Sequence, residues 1–112
     1  MENTLENVLK LIENHVNEYV ERNKNILPLQ VQLNPDNLTH VKEIAASIMR
    51  TKWKVGYAGG SFVQAVVDNN LSESFYRADI INRDSLFFYC VMIKNLDMPM
   101  EVYRFKTSIG VE

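Results

Sequence analysis

The chain has a single cysteine, Cys90, so it can close no internal disulfide. A reducing compartment, the cytoplasm, is the simpler setting. Its longest apolar run, Leu86 to Ile93, is eight residues, far below the ~18 needed to span a bilayer. No membrane partner is expected. No charged segment followed by an apolar one opens the chain, so no export signal is expected either. Basic residues are not in excess: the net charge is −2. Long nucleic acid normally binds a strongly basic surface, so it is not an expected partner. The two histidines, His15 and His40, lie far apart, and with one cysteine they form no metal set. Repeats, low-complexity tracts and inter-domain linkers are also missing.

What is present is an ordinary globular composition. Of 112 residues, 46% are hydrophobic and 23% charged, enough for one domain with a buried core. A domain this small leaves apolar area uncovered, so a homo-oligomer is expected. Residues 3–22 place Leu5, Val8, Leu9, Ile12, Val16, Tyr19 and Val20 at spacings of three and four. That predicts a helix, capped by Thr4 or Asn3. His15 sits at the edge of this stripe and reads as a boundary residue. Asn34-Pro35 is a second helix start, followed by Leu38, Val41, Ile44, Ala45, Ile48 and Met49 as far as about Thr51 or Trp53. Between these helices, Leu27 to Leu33 alternates apolar and polar, the period of a half-buried strand. Met100 to Lys106 alternates in the same way. The expected fold is mainly α: a single-domain bundle of four to five helices over residues 1–112. Residues 29–33 and 101–106 could pair within it as a short two-stranded β element. Ser108 to Glu112 is expected to fray.

Three of the four glycines fall between Gly56 and Asn82. There Ser61 and Gln64 have the spacing of a capping box, and a helix is expected from Phe62 to about Asp68-Asn69-Asn70. Asn can take the left-handed conformation that ends a helix. A further segment begins at Leu71 and Ser72. Asp79 or Asn82 can cap the next, and a helix is expected from about Arg83 to Asn95. Cys90, inside the most apolar run, is expected to be buried and structural.

The same stretch carries the best candidates for chemistry. A glycine turn feeding a helix start offers free N–H groups and a positive dipole end. Gly59, Gly60 and Ser61, with Phe62 behind them, are therefore a candidate anion site. A plain capped helix accounts for the same residues. They match neither phosphate-loop pattern, and Val63 stands where a nucleophile elbow needs its second glycine. Just upstream, Arg50-Thr51-Lys52-Trp53-Lys54 sets three cations around the one tryptophan. Lys52 and Lys54 could hold phosphate while Trp53 stacks on a base. A cation-rich helix end with Trp53 in the core reads equally. Arg77 could contact phosphate and Asn69 or Asn82 a base edge, whereas Arg77 and Asp79 could also serve as an ion pair or cap. No residue is assigned a catalytic role, because carboxylate pairs are too common on helices to single one out. No cofactor is expected.

Residues 59–82 with Leu86 resemble a family of short proteins encoded by tailed bacteriophages. The pattern is Gly60-Ser61-Phe62, Ala65-Val66, Asn69 and Leu71, Arg77-Ala78-Asp79 and Asn82. It departs from the family's usual form at Asn70, where aspartate is common, and at Gly59, where proline often stands. It also lacks the customary Trp-Gly-Ser ending. The resemblance implies a phage origin and a helical core, and it carries no mechanism with it. Small phage proteins without catalytic groups often act by binding. The expected function is a non-enzymatic phage accessory protein in the host cytoplasm. It would counter host defence by sequestering a nucleotide-like small molecule. A protein–protein inhibitor or adaptor acting on a host protein is the alternative, supported by five Met, five Phe and five Tyr. A nucleotide-degrading enzyme stands third.

Overall fold

A computed structural model describes residues 4–110. Among them are eight α-helices, one 3-10 turn and no strand. The helices are α1 (Leu5–Asn23), α2 (Leu29–Gln32), α3 (Pro35–Lys52), α4 (Ser61–Val67), α5 (Leu71–Arg77), α6 (Ile80–Asp84), α7 (Leu86–Asn95) and α8 (Met100–Ser108). Asn3, the other cap candidate of the first helix, lies outside the described residues, as do the last two residues of the expected fraying end.

The two long helices form where the apolar spacing predicts them. Thr4 caps α1, its hydroxyl accepting from Asn7 N at 3.2 Å. Asn34 caps α3 through Asp36 N and Asn37 N at 3.0 and 3.2 Å, with Pro35 at the first helical position. Val8, Ile12, Val16 and Val20 make one fully buried row along α1. The row lies on Val41, Ala45, Ile48 and Met49 of α3, which are all 0% exposed. Each such side chain stabilises the fold by roughly 1.5–3 kcal/mol on leaving water. Helix α3 is central: it also touches α2, α4, α6 and α7, and α8 packs on α1.

The predicted β element does not form. Leu27 and Val31 are buried at 3% and 0%, whereas Leu29 and Leu33 are 66% and 74% exposed. Both pairs are four apart, so what reads as alternation is one buried and one exposed helical pair. Pro28 starts the turn, its carbonyl accepting from Val31 N and Gln32 N. Residues 101–106 likewise bury Val102, Phe105 and Lys106, a three-four helical spacing, behind Pro99 at the N-cap of α8. The bundle has more helices than the four to five expected, because α2 and α8 replace the strands and short caps divide the segment after Gly60. Asn70 accepts from Glu73 N at 3.1 Å to start α5, and Asp79 accepts from Asn82 N at 2.7 Å to start α6. The helix expected from Arg83 is therefore two segments meeting at Ser85.

Two helices end in the same way. Lys54 and Asn69 both have φ of 59°. After α3, Lys54 N bonds Thr51 O and Val55 N bonds Arg50 O. After α4, Asn69 N bonds Val66 O and Asn70 N bonds Ala65 O. These paired bonds are the Schellman arrangement, which satisfies carbonyls that a helix end leaves open.

At the start of α4 the cap is Gly60, not Ser61, and it makes no side-chain bond. The expected Ser61–Gln64 capping box does not form: Gln64 Nε2 instead donates to Gly59 O at 2.7 Å. Gly59 is fixed by space: a Cβ there would lie 2.6 Å from both Ser47 Oγ and Val63 Cγ1, whereas one at Gly60 meets nothing. Gly59→Ala is therefore expected to cost about 2 kcal/mol through overpacking. Gly60→Ser should change stability by less than about 0.5 kcal/mol. Urea denaturation of the two variants checks the contrast.

Candidate functional site

The loop between α3 and α4 is anchored at several points. Trp53 and Val55 are buried at 4% and 2%, and Gly59 N donates to Thr51 Oγ1 at 2.9 Å. Held between those anchors, Tyr57 projects outward and is 71% exposed. The Arg50 guanidinium lies 4.6 Å from the centre of its ring, and Arg50 Nε donates to Tyr57 O at 3.4 Å. One ring face is thus covered by a cation and the other is open.

Two adjoining cavities meet at this pair. The larger, about 540 Å³, runs between α1 and α3 and is lined by Glu13, Asn17, Thr39, Glu43, Arg50 and Tyr57 over an apolar floor of Leu9, Ile12 and Ala46. Lys42 also lines it, but its Nζ is engaged with Glu21 at 2.7 Å. The Lys42 and Lys24 side chains beside Glu21 hold its carboxyl below the usual carboxylate range. The smaller cavity, about 230 Å³, is lined by Arg50, Thr51, Lys54, Gly56, Tyr57 and Ala58. Arg50 is the cation common to both. Beyond its bond to Tyr57 O, its guanidinium has no other hydrogen-bond partner among the described residues.

The sequence-predicted residues do not assemble into one site. Lys54 lines the smaller cavity; the other ten line neither. Lys52 Nζ donates to Ile93 O at 2.6 Å. Trp53 is in the core, its ring 6.5 Å from that of His15, and presents no face to a base. His15, the expected boundary residue, is half-buried and contacts Asp97 O at 3.3 Å. Gly59 has its N–H engaged, Ser61 is exposed, and Phe62 is buried against Tyr89 with ring centres 6.0 Å apart. Asn69 ends α4.

The Arg77–Asp79 pair does not exist. Arg77 Nε bonds Glu73 Oε2 at 3.2 Å, and Asp79 Oδ2 contacts His40 Nε2 at 3.1 Å while its other oxygen caps α6. Asn82 is 5% exposed and accepts from the Tyr89 hydroxyl at 3.0 Å. Burial first, then the nearby Asp79 charge, keeps that hydroxyl protonated far above its usual range. Ser85 Oγ is buried beside it and makes no hydrogen bond of good geometry among the described residues. These contacts assign structural work to Asp79 and Asn82. Asp79→Ala is expected to lose about 1–2 kcal/mol with its cap, whereas Arg77→Ala, at an exposed pair, should lose less than about 0.5 kcal/mol. Thermal melts distinguish them.

Cys90 corrects a second expectation: it lies on the exposed side of α7. The apolar run faces the core through Leu86, Phe88, Tyr89 and Met92, and Cys90 falls on the opposite side. Partial desolvation by its neighbours pushes its thiol pKa up, so it is a thiol rather than a nucleophilic thiolate at neutral pH. No group of three or more His, Cys, Asp or Glu is placed to hold a metal among the described residues. No helix there is long and apolar enough to cross a membrane.

The cleft residues had a faint signal. Thr39, Glu43, Ala46 and Arg50 recur at four, three and four along α3, and Glu13 and Asn17 are four apart on α1. Both rows run beside the core stripe, where such spacing normally marks a solvated helix face. Comparison with protein-family models, with curated proteins and with solved structures gives no match.

Proposed function

We propose that the chain is a non-catalytic phage accessory protein that sequesters a nucleotide-derived small ligand in the host cytoplasm, and that the ligand occupies the α1–α3 cleft. The observation that carries this reading is Arg50 held over Tyr57 at the junction of the two cavities. A guanidinium with free N–H groups binds phosphate in bidentate fashion. The open face of Tyr57 is a platform on which a base stacks, a contact worth ~1–3 kcal/mol. Glu13 and Glu43 accept from exocyclic amino or ribose hydroxyl groups, and Asn17 and Thr39 can donate or accept. With Lys42 taken up by Glu21, the charged groups left facing the cleft are Glu13, Glu43 and Arg50. That set suits a ligand with few phosphates rather than a polyphosphate.

The supporting contacts differ in part from those read in the sequence. Arg50 and Lys54 remain from the cation cluster read in the sequence, and Tyr57 takes the place of Trp53, Asn82 and the α4 start. Denaturing purified protein and analysing the released small molecules by mass spectrometry tests the reading. A phosphorylated nucleoside in stoichiometric amount supports it; protein that yields no such molecule and also binds none when supplied would refute it.

A second reading, a protein–protein inhibitor acting on a host protein, has its own observation. Leu71, Phe75 and Tyr76 on α5 are 63%, 47% and 76% exposed. Adjacent exposed apolar residues of this kind often mark binding surfaces. Capture of a stoichiometric host protein, lost on Tyr76→Asp, would favour it.

A further inference from the structure

A separate outward stripe runs along α6 and α7. The two helices abut at Ser85, whose N–H closes α6 on Ile81 O at 3.0 Å and whose carbonyl opens α7 by accepting from Tyr89 N at 3.1 Å. The inner side is core. The outer side carries Ile80, Asp84, Phe87, Val91 and Lys94, spaced four, three, four and three. Ile80 and Phe87 are 71% and 70% exposed. One hydrogen bond, Gln30 Nε2 donating to Asp84 Oδ2 at 3.4 Å, ties α2 to the edge of this face, and α2 carries exposed Leu29 and Leu33.

We propose that this face closes on a second copy of the chain about a two-fold axis, with the two α6–α7 helices antiparallel. The order of side chains argues for a copy rather than an unrelated partner. Laid antiparallel on itself with the two-fold axis level with Tyr89, the stripe places Asp84 on Lys94 and Phe87 on Val91, and Ile80 falls outside these pairs. Each pairing occurs twice, as an isologous contact requires. Neither Asp84 nor Lys94 has an ion-pair partner in its own chain among the described residues.

The area is of the right order. At roughly 200 Å² for a large apolar side chain, Leu29, Leu33, Ile80 and Phe87 at 66–74% exposure present on the order of 550 Å². A standard interface takes about 800 Å² from each partner, and Asp84, Val91 and Lys94 with neighbouring polar groups supply the rest. The inference gives a surface to the homo-oligomer expected from the sequence, and it does not rest on the ligand reading.

The full chain, at concentrations from nanomolar to millimolar, is examined by sedimentation equilibrium. The expected result is a dimer. Phe87→Asp, at an exposed position, should weaken it about thirty-fold. Asp84→Lys and Lys94→Glu should each weaken it about five-fold, and the two combined should return to within about two-fold of the original. The one native thiol serves as an independent probe. Cys90 lies one residue from the axis position, so a short bismaleimide should link two copies, and Cys90→Ser should abolish the link. A dimer indifferent to Phe87→Asp, or a charge-swapped pair no better than the single variants, overturns the proposed face. A monomer throughout overturns both the face and the expectation of self-association.

Discussion

Replacing Tyr89 with alanine is expected to lower stability by about 4 kcal/mol, the usual range for emptying an aromatic site in a core. Tyr89 is 0% exposed. Its ring meets Phe62 and Phe88 edge-on at 6.0 and 6.2 Å, and its hydroxyl bonds Asn82 Oδ1 at 3.0 Å. Domains are stable by only ~5–15 kcal/mol in total, so the loss would move the melting point by about 20 °C. Tyr89→Phe separates the two contributions. It keeps the ring and leaves only the Asn82 carbonyl without its partner, at about 1–2 kcal/mol. Asn82→Ala should cost a similar amount for the mirror-image reason, and it should leave ligand affinity alone because Asn82 faces the core. Urea titrations followed by circular dichroism measure all three. Equal losses for Tyr89→Phe and Tyr89→Ala would show that packing is not the larger share. An Asn82→Ala variant of unchanged stability and reduced affinity would return that residue to the binding site.

Arg50→Ala should weaken nucleotide binding about thirty-fold, since a charge-assisted hydrogen bond contributes roughly 1.5–3 kcal/mol. The same change should alter stability little. Arg50 is half-buried, and its contacts are one long bond to Tyr57 O and the stacked ring. Arg50→Lys keeps the charge and loses the planar fork, so it should recover only part of the affinity. Tyr57→Ala removes both the platform and the ring that positions Arg50, and its loss should not add to that of Arg50→Ala. Equilibrium dialysis against a labelled nucleotide reads each value. Binding that survives Arg50→Ala unchanged while failing with Lys52→Ala would place the ligand at the end of α7, where Lys52 reaches Ile93 O.

The parts of the fold legible in the sequence were those with long periodic patterns and strong caps. Leu5–Asn23 and Pro35–Lys52 follow from apolar spacing, from Thr4 and from Asn34-Pro35. The left-handed end at Asn69 was also legible. Short segments were not. Four alternating apolar residues at 27–33 are compatible with a strand and with two helical pairs, and only the burial of Val31 beside an exposed Leu33 separates them. The site was harder still. Asp79, Asn82 and Asn70 are polar residues near a glycine turn, and that is what both a ligand site and a set of helix caps look like. Only the partner atoms, Asn82 N, the Tyr89 hydroxyl and Glu73 N, distinguish the two. Trp53 reads as a stacking platform among cations until its 4% exposure is known. Tyr57, which is the exposed ring, has no neighbouring pattern to mark it. Its role follows from Gly56 at φ +74° and from the anchors on either side.

The Arg50–Tyr57 cleft is proposed to hold a nucleotide-like ligand. Isothermal titration calorimetry of the unmodified chain with cyclic and linear nucleotides, repeated with Arg50→Ala, tests it most directly. At least one nucleotide should bind at micromolar concentration or below, and Arg50→Ala should lose most of that affinity while melting at nearly the original temperature. Absence of heat from every nucleotide at those concentrations, or equal binding by the two proteins, would contradict it.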